Sequence, residues 1–400
     1  MPDKCETIIV GGGPAGLTAA LALAEGGIET ALVGLRPAPG DNRTSFLVDS
    51  SVAALKALGV WATCETEAAP LRVMRIVDDT GRLWRAPEVK FDAYEIDLEA
   101  FGYNIENRHL VAALEKRAAD LPTLRLITDE VREVVPGEHD VTVSLKNGDE
   151  LRAPLVVGAD GRHSLCREAA GIEVTQRRYR QTALTVSFVH SHPHNDVATE
   201  FHTPSGPFTV VPLPGNRSSL VWVLEPREAE VMAALDDDEL SDEIEYRSHS
   251  ILGKIAVEPG RGLFPLSVVT AWRFAANRIA LVGESAHVVP PIGAQGLNLG
   301  LRDAACIAEA AVAAKRHGLD IGGADVMARY DRMRRADIGS RTVAIDVLNR
   351  TLLTDLLPVQ GVRGLALYAI DQIGPLRRAL MREGIAPRMA QPKLMRGEAL

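Results

Sequence analysis

No apolar run in the 400 residues approaches the roughly 20 that a membrane-spanning helix needs, because strand-like stretches stop at glycines and helix-like stretches carry charges. The expectation is a soluble chain that meets a membrane only at its surface. Cysteine is scarce: Cys5, Cys64, Cys166 and Cys306 lie far apart with no Cys-x-x-Cys pair, which argues against a disulfide framework or a structural zinc site. No secretory signal stands ahead of them, so a reducing cytoplasm is the expected compartment. A basic excess is also missing. Lys plus Arg number 44 against 53 Asp plus Glu, and the net charge of -9 repels phosphate backbones, so nucleic acid is not an expected partner. No Gly-x-Ser-x-Gly elbow is present, which excludes a hydrolase of that type. What remains is ordinary globular composition, 46% apolar and 24% charged, at a length that suits two or three domains.

The N-terminal stretch reads as strand, tight turn, helix, strand. Thr7 to Val10 is β-rich, Leu17, Ala20, Leu21 and Ala24 recur at helical spacing before Gly26-Gly27, and Thr30 to Val33 is the next strand. This is a βαβ unit whose continuous apolar strands suit a buried parallel sheet. Around Val141 to Leu145 the pattern alternates, with Asn147-Gly148 as a hairpin turn, and Leu155 to Val157 is again a buried strand. From Thr182 to Val223 the runs TALTVSFV, PFTVVPLP and SSLVWVL predict antiparallel strands of an inserted β-rich domain. Arg278 to Val282 then predicts a buried strand, followed by a Gly-rich turn and an Ala-rich helix from about Leu297 to Ala314. Beyond Ala324 the chain reads as helical.

Gly11-Gly12-Gly13-Pro14-Ala15-Gly16 fits G-x-G-x-x-G where the physics requires it, after a strand and at the opening of a helix. Gly11 serves the tight turn, Gly13 the approach of a pyrophosphate to the backbone, and Gly16 the close packing of helix on strand. The helix N-terminus supplies N–H groups and partial positive charge. A carboxylate about 20 residues on normally holds the adenosine ribose. Here that position is Gly34, and backbone groups from Gly34 to Arg36 are the expected substitutes.

Two further strings follow buried strands: Gly158-Ala159-Asp160-Gly161-Arg162-His163-Ser164, and RIALVGESAHVVPPIGAQGLNLGLRD from Arg278 to Asp303. With Asp41 to Thr44, Phe101 to Leu110 and Gly206 to Val223, they carry a resemblance over nearly the whole chain. The sequence resembles FAD-dependent aromatic hydroxylases of the p-hydroxybenzoate hydroxylase type (class A flavoprotein monooxygenases), and among them the UbiH-like hydroxylases of ubiquinone biosynthesis. The resemblance implies an α/β fold: a Rossmann-like FAD-binding domain of the GR2 type, an inserted mainly antiparallel β-sheet substrate domain, and a helical C-terminus. It divides the chain into FAD-binding parts at 1–75, 101–180 and 271–330, substrate-domain parts at 76–100 and 181–270, and a C-terminal helical region at 331–400.

The resemblance also implies roles. Gly11, Gly13, Pro14, Ala15 and Gly16 hold the dinucleotide, Arg43 meets its pyrophosphate as a planar bidentate donor, and Asn107 contacts the cofactor or caps a helix. Asp160 spans cofactor and reductant contacts or is a turn carboxylate. Gly283 and Glu284 stand where the family has Gly-Asp on ribityl hydroxyls. Pro290 and Pro291 stiffen the segment beside the isoalloxazine, and Gly293, Ala294, Gly296, Leu297 and Asn298 lay backbone N–H groups against its pyrimidine edge, with Pro290, Gly293 and Gly296 closest to the chemistry. FAD is the implied cofactor, reduced by NAD(P)H or an electron-transfer protein, since a second G-x-G-x-x-G is missing. Oxygen then reacts as a flavin C4a-hydroperoxide with an electron-rich ring, here a polyprenylated aromatic precursor, in a water-poor chamber.

Other features are read more plainly. His190, His192, His194 and His202 are interrupted by Pro193 and lack a completing carboxylate pattern, so a turn rather than a metal site is expected. His287 is a proton carrier or a packing residue of its loop. Val362 to Ile373 has helical spacing, and Arg363, Arg377, Arg378, Arg382, Arg388, Lys393 and Arg396 are basic. Such a helix lies on an anionic inner-membrane surface, docks proteins of a ubiquinone-synthesis complex, or packs on its own FAD domain. Gly34 and Glu284 keep open a non-catalytic subunit with the same fold.

Overall fold

The computed structural model describes residues 3–35, 43–81, 87–291, 295–353, 372–385 and 391–400. A six-stranded sheet runs in the order 275–276, 279–281, 155–158, 7–10, 30–33, 124–127. Its four central pairings are parallel and in register, Thr7 to Thr30 on one side and Leu155 to Thr7 on the other. The strands Thr7–Val10, Thr30–Val33 and Leu155–Gly158 are buried at every residue, which is why they carry no polar alternation. The short antiparallel edge hairpin 275–281 turns through Asn277 and Arg278, whose φ values of 49° and 64° suit a tight hairpin turn.

Helices Pro14–Glu25 and Gln295–Arg316 pack against each other on this sheet. Their buried faces are rich in alanine, among them Ala19, Ala20, Ala304 and Ala308, so the helices approach closely. A four-stranded sheet (3–4, 150–153, 141–145, 131–136) meets the parallel sheet where 150–153 lies near 7–10, with its hairpin turning at Gly148, φ 97°. A three-stranded sheet (44–48, 102–106, 68–71) packs against helix 295–316.

The second large sheet has the order 287–288, 262–271, 174–190, 217–224, 207–213, 197–202, 73–78, 89–92, with 255–257 also on 174–190. Its pairings are antiparallel except 197–202 with 73–78. One face, including Leu184, Phe188, Phe208, Leu220 and Trp222, packs under helices Pro226–Ala234 and Asp237–Arg247. These two helices stand after Val223, in a stretch of the inserted β-rich domain to which the sequence reading assigns no element. Their signals are local: Pro226 at a helix start, and a reciprocal capping box between Asp236 and Glu239. The opposite face sets Met74, Ala198 and Val211 against Val48, Leu71 and Phe101 of the neighbouring sheet. Polar contacts tie the same junction: Thr44 Oγ1 donates to Ser219 Oγ at 3.1 Å, Asn104 Nδ2 to the Pro212 carbonyl at 2.9 Å, and Arg217 spans Glu106 and Glu258.

Among the described residues no helix is long and apolar enough to cross a membrane. The C-terminal residues Val362 to Ile370, with Arg363 and Arg388, lie outside the described set. Within helix Gly374–Ile385, Arg377 pairs with Glu95 and Arg382 with Asp97, and Met381 is buried against the sheet junction.

Candidate functional site

The carboxyl ends of three parallel strands deliver three turns to one place. The first turn, 11–16, and the second, 158–164, are bonded through Ala159 N to the Val10 carbonyl at 2.7 Å. The third, 282–285, is bonded to the second by Val282 N and Ser285 Oγ, which both donate to the Gly158 carbonyl at 2.9 and 2.6 Å. Ligands bind in α/β sheets at this carboxyl edge, where loops diverge and helices begin.

Close approach explains the glycines. A Cβ on Gly11 would lie 2.2 Å from the Ala159 carbonyl oxygen, and φ at Gly11 is +121°, so no other residue suits the turn. A Cβ on Gly16 would lie 2.0 Å from the Gly11 carbonyl oxygen. Gly13 differs: nothing stands within 4 Å of its Cβ direction, at the N-cap of helix 14–25. Protein packing therefore leaves this position free while the helix N-terminus faces it, the cradle a pyrophosphate requires. Pro14 opens the helix, and Ala15 packs its methyl near Gly283 and Gly300, joining first turn, third turn and helix 295–316. Gly13→Val should cost the cofactor-free protein no more than about 1 kcal/mol, the loss of a favourable N-cap residue, and abolish FAD retention, measured by denaturant melts and flavin absorbance.

The remaining residues fall around this centre. Arg43 is exposed at the head of strand 44–48, and its carbonyl accepts from Asn107 N at 2.8 Å. Asn107 is the first residue of helix 107–119, whose N-cap is Glu106, and its Oδ1 accepts from Ser45 Oγ at 2.6 Å. The Asp160 carboxylate accepts from Ser164 Oγ at 2.6 Å and Cys166 N at 3.0 Å, so it closes its own turn. Exposed Glu284 pairs with Arg162 across the second and third turns at 3.1 Å. Pro290 is buried and Pro291 exposed, directly after strand 287–288, which pairs with Val269 and Thr270 of the second sheet. Gly293 and Ala294 lie outside the described residues. Gly296 is exposed in the first turn of helix 295–316 and Leu297 half-buried beside it. The Asn298 side chain is turned into the protein: Nδ2 donates to the Phe46 carbonyl at 2.7 Å, and Oδ1 accepts from Val48 N and Ser51 Oγ.

Sequence reading missed the support under the third turn. Asp303 is fully buried; its Oδ2 accepts from Gly283 N at 2.8 Å and bonds His287 Nε2 at 2.7 Å, and its Oδ1 accepts from Arg334 Nε at 2.5 Å. Arg334 is itself buried and reaches Asp337 at 2.7 Å. Burial alone would raise the Asp303 carboxyl, but the charges of Arg334 and His287 and the hydrogen bonds overcome it and hold it below its usual range. Tyr330 adds a 2.6 Å bond to the Leu281 carbonyl. His287 is thus a fully buried partner of Asp303. The four histidines of the second sheet are not gathered around one point: His190 bonds Ser218 Oγ and the His192 carbonyl, His194 the Leu213 carbonyl, and His202 Glu200.

Known proteins share this chain and this architecture. Ubiquinone hydroxylase UbiL of Rhodospirillum rubrum is 36% identical over 412 residues, covering 100% of this chain and 94% of that protein. The 3-demethoxyubiquinol 3-hydroxylase of Escherichia coli is 32% identical over 386 residues, covering 94% of this chain and 97% of its own. Among solved structures, p-nitrophenol 4-monooxygenase PnpA of Pseudomonas putida superposes with a TM-score of 0.79 at 21% identity, over 97% of this chain and 100% of that one, and shows the shared fold. The sequence profile described as FAD binding domain matches residues 4–342, and with that extent this chain belongs to the FAD binding domain family.

Proposed function

We propose that this protein is an FAD-dependent monooxygenase that hydroxylates the aromatic ring of a polyprenyl phenol or quinone precursor in ubiquinone biosynthesis. The observation that carries the reading is the convergence of turns 11–16, 158–164 and 282–285 at one sheet edge, in a chain 36% identical along its length to a ubiquinone hydroxylase. FAD, when bound, supplies the activation of O2 and the transfer of one oxygen atom to an electron-rich ring. The chain's own residues do the rest. Gly13 and the N-terminus of helix 14–25 receive the pyrophosphate, with Arg43 as its cationic partner. Gly283 and Glu284 address the ribityl side, and the opening turn of helix 295–316, with Gly296 and Leu297, offers backbone N–H groups to the electron-rich edge of the ring system. Pro290 and Pro291 limit the freedom of the segment between strand 287–288 and helix 295–316. Electrons come from NAD(P)H or an electron-transfer protein. Contact with the inner-membrane surface, or with other proteins of a ubiquinone-synthesis complex, gives access to a lipid-soluble substrate.

The test is hydroxylation by the purified flavoprotein under 18O2, with a demethoxyubiquinol as substrate and NAD(P)H or reduced ferredoxin as donor. Mass analysis should find one 18O atom in the ring product. A yellow protein that incorporates oxygen only from water, or a colourless protein that leaves the ring unchanged, overturns the reading; the second result marks a non-catalytic subunit.

A further inference from the structure

We propose that Glu115, on helix 107–119, supplies the ribose-binding carboxylate that position 34 lacks; the proposal rests on the FAD reading above. Position 34 has no room for an acid, since a Cβ there would lie 2.3 Å from Gly12 N and 2.9 Å from Gly12 Cα. Of the backbone beside it, Gly34 N already donates to the Ile127 carbonyl at 3.1 Å, and the Val33 carbonyl accepts from Gly11 N at 2.8 Å; Arg36 lies outside the described residues. A cleft opens at this point, bounded by Gly12 of the phosphate loop, by Gly34 and Leu35 at the strand end, and by Thr128 and Glu115. Among the residues on its wall, Glu115 is the one with an ionisable side chain.

The dimensions and chemistry suit a ribose edge. The cleft measures about 30 Å³, and one water needs about 10–15 Å³ of such space, so it admits a pair of hydroxyl groups rather than a whole base. A carboxylate offers two acceptor oxygens to the two donors of a cis-diol, and charge-assisted bonds of this kind are the strong ones. Leu17 and Leu32, both buried, give the cleft an apolar floor. The helix that carries Glu115 is fixed: it packs on helix 14–25, and Arg117 Nε donates to the Leu58 carbonyl at 3.0 Å.

The experiment is calorimetric titration of the cofactor-free full chain, wild type and Glu115→Gln, with FAD and with an FAD analogue whose adenosine is 2′,3′-dideoxy. Glu115→Gln should weaken FAD about tenfold, the analogue should bind wild type about tenfold more weakly than FAD does, and the variant should no longer distinguish the two ligands. A variant that binds FAD within about twofold of wild type, or that keeps the full discrimination against the analogue, overturns the assignment. Should Glu115→Gln not fold, Glu115→Asp enters the same four-way comparison, with weakened FAD and reduced discrimination expected and unchanged values contradicting the role. Wild type that binds neither ligand overturns the flavin reading, and Glu115's role with it.

Discussion

Replacing Asp303 with alanine should destabilise the cofactor-free protein by about 3–5 kcal/mol, because it strands the buried Arg334 guanidinium and His287 ring without their shared anion. The same change removes the acceptor of Gly283 N, so the third turn loosens and FAD affinity falls as well. Asp303→Asn keeps the shape but not the charge and should cost about 3 kcal/mol. The two readouts are the urea midpoint without flavin and the flavin dissociation constant. The effect carries a pH signature. Since the folded carboxyl titrates below its ordinary value of 3.8, its stabilisation is fully present above that value and is lost as pH falls through the lower folded one. The stability gap between wild type and Asp303→Asn is therefore widest at neutral pH and narrows in acid. A gap that is constant down to acid unfolding, or a loss below about 1 kcal/mol at pH 7, contradicts the network's role.

Gly34→Glu tests a simpler intuition, that restoring the missing acid improves the site. It should do the opposite. The new Cβ would press on Gly12 N at 2.3 Å, where backbone meets backbone and no side-chain rotation relieves the overlap. Overpacking of this sort costs about 2–3 kcal/mol, and because the displaced residue belongs to the phosphate loop, FAD affinity should drop about 100-fold. Gly34→Ala should show most of the same loss, which separates sterics from charge. Fluorescence titration with FAD decides the matter: tighter binding by Gly34→Glu than by wild type would show that the loop yields and that the position lacks only a carboxylate.

The βαβ unit, the glycine motif and the antiparallel runs of the second sheet were all legible because each depends on neighbours in sequence: a strand of uniform apolarity, a turn that needs glycine, a helix with period 3.6. Helices 226–234 and 237–247 carried equally local signals in Pro226 and the Asp236–Glu239 box, but the strand pattern ends at Val223 and the reading assigns no element to the stretch that follows. The parallel pairing of 197–202 with 73–78 had no such signal, since nothing near either segment names a partner so distant in the chain. Asp303 and Arg302 adjoin on a helix and look like a solvated pair; packing of helix 324–353 over them makes both buried.

Gly34 shows where the two kinds of information part. Read along the chain, it is a vacancy where an acid belongs; in three dimensions it is the contact surface for Gly12. The linear order of residues was enough to predict a glycine-rich strand–turn–helix, further turns after buried strands and a set of antiparallel strands, because turn chemistry and apolar periodicity act over a few residues. Which carboxylate lies near the ribose end, which acid holds the third turn, and which side chains at the site are already committed to protein partners depended on elements far apart in sequence coming to rest on one another, since burial and pairing energies exist only once those surfaces meet.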